Sequence, residues 1–212
     1  MSNKTELIAA ILAELSDTAN ARWAADEITA HLRRALRAYN RADPRRLAAT
    51  IEGMAGQREY DLATDCPDLV AVLDVWYPYD PADPAWPPER PAWSMLLPGT
   101  LALEVADAPS GDAAAQLRVF YAAPHTIEDL DGAEATTLDG QGEQALILAA
   151  SAYAAHQYAQ ALISAVTVSA WTPQQFMAWA AQQRAAYHAL LDEILAQRRA
   201  ATDARVTWAG EV

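Results

Sequence analysis

Apolar residues in this chain change period twice, and the two changes set the order of its parts. Leu7, Ile8, Ile11, Leu12 and Leu15 recur at helical spacing, and Ile28, Leu32, Leu36 and Tyr39 repeat it down one face of a second helix. "ADPRR" then intervenes, where Pro44 lacks the amide hydrogen and the free φ that a helix needs. From residue 45 to about 138 the alternation becomes strand-like. "TLALEV" and "LRVFY" each place apolar side chains at every second position, and the turn-forming "APSGD" between them predicts a hairpin. Upstream, "TIEGMAGQREYDL" reads as two strands about a glycine-containing turn, and "LVAVLDVWY" as a more buried strand.

After "DGQGEQ" the helical period returns in an alanine-rich stretch that permits close backbone approach by neighbouring helices. "TPQQ" then restarts a helix, with Thr172 as cap and Pro173 at the first helical position. Its inward stripe is Phe176, Ala180, Tyr187, Leu191 and Ile194. The predicted class is α+β. Residues 1–44 and 139–201 form one helical bundle, an antiparallel β-sheet or sandwich (45–138) is inserted between them, and 202–212 is an extended tail.

Between Gln144 and Gln183 there is no Asp, Glu, Lys or Arg. A membrane span is nonetheless the wrong reading. Alanine dominates, His156, Gln157 and Gln160 interrupt, and Pro173 splits a run that would need roughly 20 strongly apolar residues. Buried helices fit better, and a composition 52% hydrophobic with seven tryptophans suffices for a core. The 28 acidic against 15 basic residues give a net charge of −13, which opposes adhesion to nucleic-acid backbones or anionic lipid. Cys66 is the single cysteine, and Glu6 and Glu14 interrupt the first apolar segment, so synthesis in the cytoplasm is the expectation.

Catalytic constellations do not emerge. "DGQGEQ" has two glycines at GxG spacing but no phosphate-binding lysine, and it reads as a turn. "HTIED" brings His125, Glu128 and Asp129 together in sequence, yet the four histidines are scattered and no second cluster completes a metal shell. No enzyme activity, cofactor or metal is expected.

Two features carry information about partners. Arg33, Arg34, Arg37 and Arg41 lie off the apolar face of the second helix, either as solvated charge near its C-terminus or as a contact for an acidic neighbour. In "YPYDPADPAWPPERPAW", prolines at 78, 81, 84 and 87 match the three-residue turn of polyproline II, which at about 3.1 Å per residue would make a stiff arm of about 30 Å within residues 77–98. The stretch is a loop over its own sheet, with Trp86 or Trp93 plugging the core, a docking surface for another subunit, or a ligand for a proline-binding module.

"LSDTANARWAADEITAHLRRALRAYNR", "YDLATDCPDLVAVLDVWY", "VFYAAPHTIEDLDG" and the alanine-rich final helices, in this order, resemble the head-to-tail adaptor (connector) proteins of tailed bacteriophages and prophages. The likeness rests on Asn20 to Trp23 opening a helix with Asp26 and Glu27 in its first turn, on Tyr60-Asp61-Leu62 entering the sheet, and on Tyr121 and Pro124 before an acidic loop. It implies a structural virion protein, assembled in the host cytoplasm into a homo-oligomeric ring, commonly a dodecamer. Such a ring sits beneath the portal protein and offers a platform to the next tail or stopper protein, while packaged DNA passes without specific binding and no membrane is involved. By the same analogy Arg33, Arg34, Arg37, Arg41 and Trp208 make the portal or subunit interface, while the proline spacing and the interface energy that aromatic burial concentrates make Trp86 and Trp93, with Pro84 and Pro87, an arm interface. Rival readings are a tail-side stopper or tube protein and a small-molecule binding or enzymatic domain on the β region.

Overall fold

A computed structural model of the chain describes residues 1–19, 21–163 and 171–203. Two compact units emerge, one from Met1–Asp43 together with the chain from His125 onward, the other from Pro44–Pro124. Residues 125–138, expected in the β lobe, therefore pack with the helices.

The helical unit contains α1 (Lys4–Glu14), α2 (Ala25–Ala42), α3 (Gly140–Ile163) and α4 (Trp171–Asp203). Asn3 opens α1 with a capping box: its side chain accepts the Glu6 N–H at 2.9 Å, and the Glu6 carboxylate accepts the Asn3 N–H at 3.0 Å. Two orphan donors are thereby satisfied. α2 starts at Ala25, later than the Asn20–Trp23 opening expected, because the Asp17 carboxylate gathers the N–H groups of Ala21, Arg22 and Trp23 at 3.0, 2.8 and 3.1 Å and holds them in a loop. Asn20 itself lies outside the described residues. α2 ends at Ala42, since Asp43 precedes a proline and takes φ −141°.

Ile28, Leu32, Ala35 and Tyr39 are wholly buried on α2, and each Leu or Ile contributes about 2 kcal/mol of transfer free energy. α3 touches all three other helices and buries Ala145, Ala149, Ala150, Ala154, Ala155 and Ala159; their short side chains let the neighbouring backbones come close. Asp139 caps it, accepting the Gly142 N–H at 2.7 Å. α4 is already helical at Trp171, so Thr172 lies inside the helix rather than at its cap. Its stripe Ala180, Tyr187, Leu191 and Ile194 is buried, with Phe176 half-buried. Trp23, Tyr158 and Phe176 meet in an aromatic knot, with centroids 5.2 Å (Trp23–Tyr158) and 5.0 Å (Tyr158–Phe176) apart.

The β unit holds β1 (Arg45–Ile51), β2 (Glu59–Asp61), β3 (Ala71–Tyr79), β4 (Ala92–Leu97), β5 (Thr100–Glu104) and β6 (Gln116–Ala123). They form two three-stranded antiparallel sheets, ordered β1-β6-β3 and β2-β5-β4. Ile51, Val75, Leu117, Val119 and Tyr121 of the first sheet and Tyr60, Leu101 and Leu103 of the second share one core.

Pairing corrects two expectations. "TLALEV" (β5) and "LRVFY" (β6) are not a hairpin, because β5 pairs with β2 and β4 while β6 is the middle strand of the other sheet. The hairpin is β4–β5, closed by Pro98-Gly99, where Gly99 takes the φ of 85° that a type II turn demands. Nor is β3 the more buried strand. It lies at an edge with Leu73 exposed, whereas β6 buries Leu117, Val119, Tyr121, Ala122 and Ala123.

Candidate functional site

Side chains with a possible functional role collect in two places, one on each unit. On the helical unit, the four arginines of α2 are exposed but unequal. Arg33 Nε lies 2.7 Å from Asp131 Oδ1, both side chains about half exposed, so an acidic neighbour does exist and belongs to the chain itself. The guanidinium of Arg34 lies 4.2 Å from the ring centre of Tyr153 on α3, a cation–π contact. Arg37 donates from Nε to the Arg33 carbonyl at 3.3 Å and projects, like Arg41, toward solvent. Trp208 lies outside the described residues.

His125, Glu128 and Asp129 do structural work. Asn40 and His125 exchange two hydrogen bonds, the Asn40 amide donating to the His125 carbonyl at 3.1 Å and the His125 N–H donating to Asn40 Oδ1 at 2.8 Å. This pins the loop after β6 to α2. Threonines knit the rest: Thr136 Oγ1 accepts the Glu128 N–H at 2.9 Å and donates to the Ser2 carbonyl at 2.7 Å. Asp129 adopts φ 63°, a turn position. Among the described residues, no three His, Cys, Asp or Glu side chains could hold a metal together.

On the β unit, the proline-rich stretch is a loop that doubles back, not a straight arm. β3 runs on through Tyr79 and β4 begins at Ala92, leaving residues 80–91 between them. The Tyr77 N–H donates to the Glu89 carbonyl at 3.1 Å, which brings the ends of the loop together. Three contacts account for the reversal. Asp80 accepts the Ala82 N–H at 2.8 Å in a local turn, Arg90 Nε meets Asp74 Oδ2 at 3.3 Å, and the Trp86 ring stands edge-on to Trp76 with centroids 6.3 Å apart.

The outer face of the first sheet thus becomes an aromatic platform. Trp76 packs on Phe120 at 4.7 Å and donates from Nε1 to Asp74 at 2.9 Å, while Arg118 lies over Tyr79 and Phe120 and donates to Thr50 Oγ1 at 2.6 Å. Trp86 caps the platform yet keeps 77% of its surface in solvent. Trp93 behaves differently: as a β4 residue paired with Leu103 it is half-buried against the β core. Pro84 and Pro87 are exposed. Sequence spacing could not separate the two tryptophans, because strand pairing, not proline periodicity, decides which ring turns inward.

Two polar groups were missed by the sequence reading. Asp43, buried at the end of α2, accepts the Tyr39 hydroxyl at 3.1 Å and meets Arg198 Nη2 of α4 at 2.8 Å. Burial, and then the Asp43 carboxylate, hold the Tyr39 phenol well above its usual range. Asp17 is the other. Burial alone would raise its pKa, but the three backbone N–H groups it receives outweigh that and hold the carboxyl below its ordinary value. Both aspartates look like helix-stopping punctuation in sequence, and only the fold shows what they bind.

These arrangements can bind and brace; they present no nucleophile paired with a base. The model of the SU10 adaptor protein family matches residues 2–209. No curated protein matches the chain. Since the match spans nearly the whole sequence, the chain belongs to this family of phage head-to-tail adaptors, a structural class and not an enzymatic one.

Proposed function

We propose that copies of this adaptor close into a ring of twelve beneath the portal of the filled head, with packaged DNA passing through the ring and the opposite side receiving the next tail protein. The observation that carries the reading is the family match over residues 2–209. The charge supports it: a net −13 repels the DNA backbone, so a ring with acid toward its lumen would let DNA slide without sticking. Assembly in the host cytoplasm accords with this, and no described helix is long and apolar enough to cross a membrane.

Contacts with the portal or the adjacent subunit fall, in this reading, to the α2 arginines and the tail. Arg37 and Arg41 are the better candidates, since Arg33 and Arg34 already engage Asp131 and Tyr153. Trp208 would add an aromatic anchor. Trp86, flanked by Pro84 and Pro87, is the exposed anchor of the second surface, and Trp93 supports it from within β4.

Light scattering coupled to size exclusion, with and without purified portal protein, tests the assembly. The expected product has about twelve times the 22.9 kDa chain mass and a central hole in negative stain. A species that stays at one chain mass with the portal present would sink the reading. A chain carrying Glu at positions 33, 34, 37 and 41 and lacking 204–212 should lose the portal while keeping its helical circular dichroism.

A further inference from the structure

The four edge strands of the β unit are not equally protected. β1 carries Arg45 and Arg46 and β2 carries Glu59 and Asp61, charges that discourage an added strand. β4 has no charged residue, and β3 has none before Asp74. Between these two bare edges runs a groove of about 480 Å³, lined by Leu69, Val70 and Val72 on one side and Trp93, Met95 and Leu97 on the other. Val70, Leu96 and Leu97 leave half or more of their surface in water. Three consecutive exposed large side chains, Met95 to Leu97, on an uncharged edge mark a surface that gains by being covered.

We propose that this groove receives residues 204–212 of a second copy of the chain as an added strand, an inference that rests on the ring reading above. The segment follows directly on α4, which ends at Asp203. Arg205-Val206-Thr207-Trp208 alternates polar and apolar residues of strand-forming type, so Val206 and Trp208 fall on one face and enter the groove while Arg205 and Thr207 face out. At ~3.3 Å per residue these four span about 13 Å, enough to lie along most of β4. Arg205 and Glu211 are the segment's only charged side chains and cancel, so it approaches a chain of net charge −13 without the repulsion most of that surface would exert. A tail-to-groove contact joins two different surfaces, the heterologous kind that generates a ring where the rotation between copies closes.

The probe is a fluorescent peptide of residues 203–212, titrated against full-length chain bearing Trp208→Ala so that its own tail does not compete. Saturable binding is expected, weakened roughly tenfold or more by Leu97→Asp in the chain or by Trp208→Ala in the peptide. Leu97 is 67% exposed, so unchanged circular dichroism should accompany that substitution. Binding indifferent to both changes, or no binding, overturns the assignment. In a Cys66→Ser background, a tagged chain with Leu97→Cys mixed with an untagged chain with Trp208→Cys should form a disulfide between chains. A disulfide that forms only within one doubly substituted chain overturns the choice of a second copy. Rings that persist while peptide and disulfide both fail reject the groove and leave the ring reading standing; peptide and interchain disulfide without any ring, portal present, do the reverse.

Discussion

Arg198, on α4, places Nη2 2.8 Å from Oδ2 of Asp43, the residue that ends α2 before the chain leaves for the β unit. Asp43 is almost wholly buried, its second partner is the Tyr39 hydroxyl, and Arg198 keeps about a third of its side chain in water. Removing the cation strands a buried carboxylate, whereas removing both charges does not. Arg198→Ala should therefore cost about 2 kcal/mol, on the low side for a broken buried pair because Arg198 is partly solvated. Arg198→Met with Asp43→Asn should recover part of it, and urea melts of the three proteins check the order.

Asp17 should make stability fall in acid. Its folded pKa is depressed below 3.8, so its contribution is complete above that value and disappears as pH drops through the lower, folded one. Asp17→Asn should flatten this part of the pH profile and lower the melting temperature at pH 7. An unchanged profile would mean that the loop before α2 is held by something else.

His31 acts in a higher window. Burial first, then Arg34, lower its pKa below 6.5, with Glu27 opposing, so the ring is favoured neutral in the folded helix. Stability from this site is full above pH 6.5 and lost as pH falls through the folded value. His31→Gln should remove that slope in melts between pH 7 and 5.

Cys66 should resist alkylation. Burial and, secondarily, Asp65 push its thiol up to about 11, and its side chain is 1% exposed within the β core. Iodoacetamide at pH 8 should modify it only as fast as the β unit opens, so its rate should climb with urea.

The tryptophans should separate by assay. Trp86→Ala, at a residue 77% exposed, should shift stability by less than about 0.5 kcal/mol while weakening ring or tail attachment. Trp93→Ala should cost about 2 kcal/mol, less than a fully buried tryptophan, because Trp93 is only partly buried against the β core. Calorimetry beside an assembly assay distinguishes them. A Trp86 variant that assembles normally would assign that ring to the platform alone.

Periodicity made the broad plan legible: helical spacing from Leu7 to Tyr39 and from Phe176 to Ile194 marked faces that are buried, and Pro44 marked where α2 stops. Strand partners were not legible. Alternation in "TLALEV" and "LRVFY" says which face is apolar but not which neighbour bonds the backbone, and the shared core of the two sheets decided that. The signal for the true hairpin was present in Pro98-Gly99, between two apolar runs. Asp131, in the turn before α3, as the partner of Arg33, and Arg198 of α4 as the partner of Asp43 are set by tertiary packing between segments far apart in sequence, which no local pattern encodes. The recoil of the proline-rich loop is likewise tertiary, made by Trp76, Asp74 and Arg90.

β1 and β6, the first and last strands of the β unit, are hydrogen-bonded neighbours, with Arg45 opposite Ala123 and a proline just outside each. Antiparallel partners lie about 5 Å apart, so the polypeptide leaves the helices and returns to them through a gap hardly wider than one strand spacing. To the helices, the whole β unit is equivalent to a short staple: it adds little closure entropy, and its interior can be remodelled without moving either attachment point. An insertion tethered in this way behaves as an exchangeable cartridge. Substituting another module with equally close ends would alter what the adaptor meets while α2 and α3 keep the same chain connections.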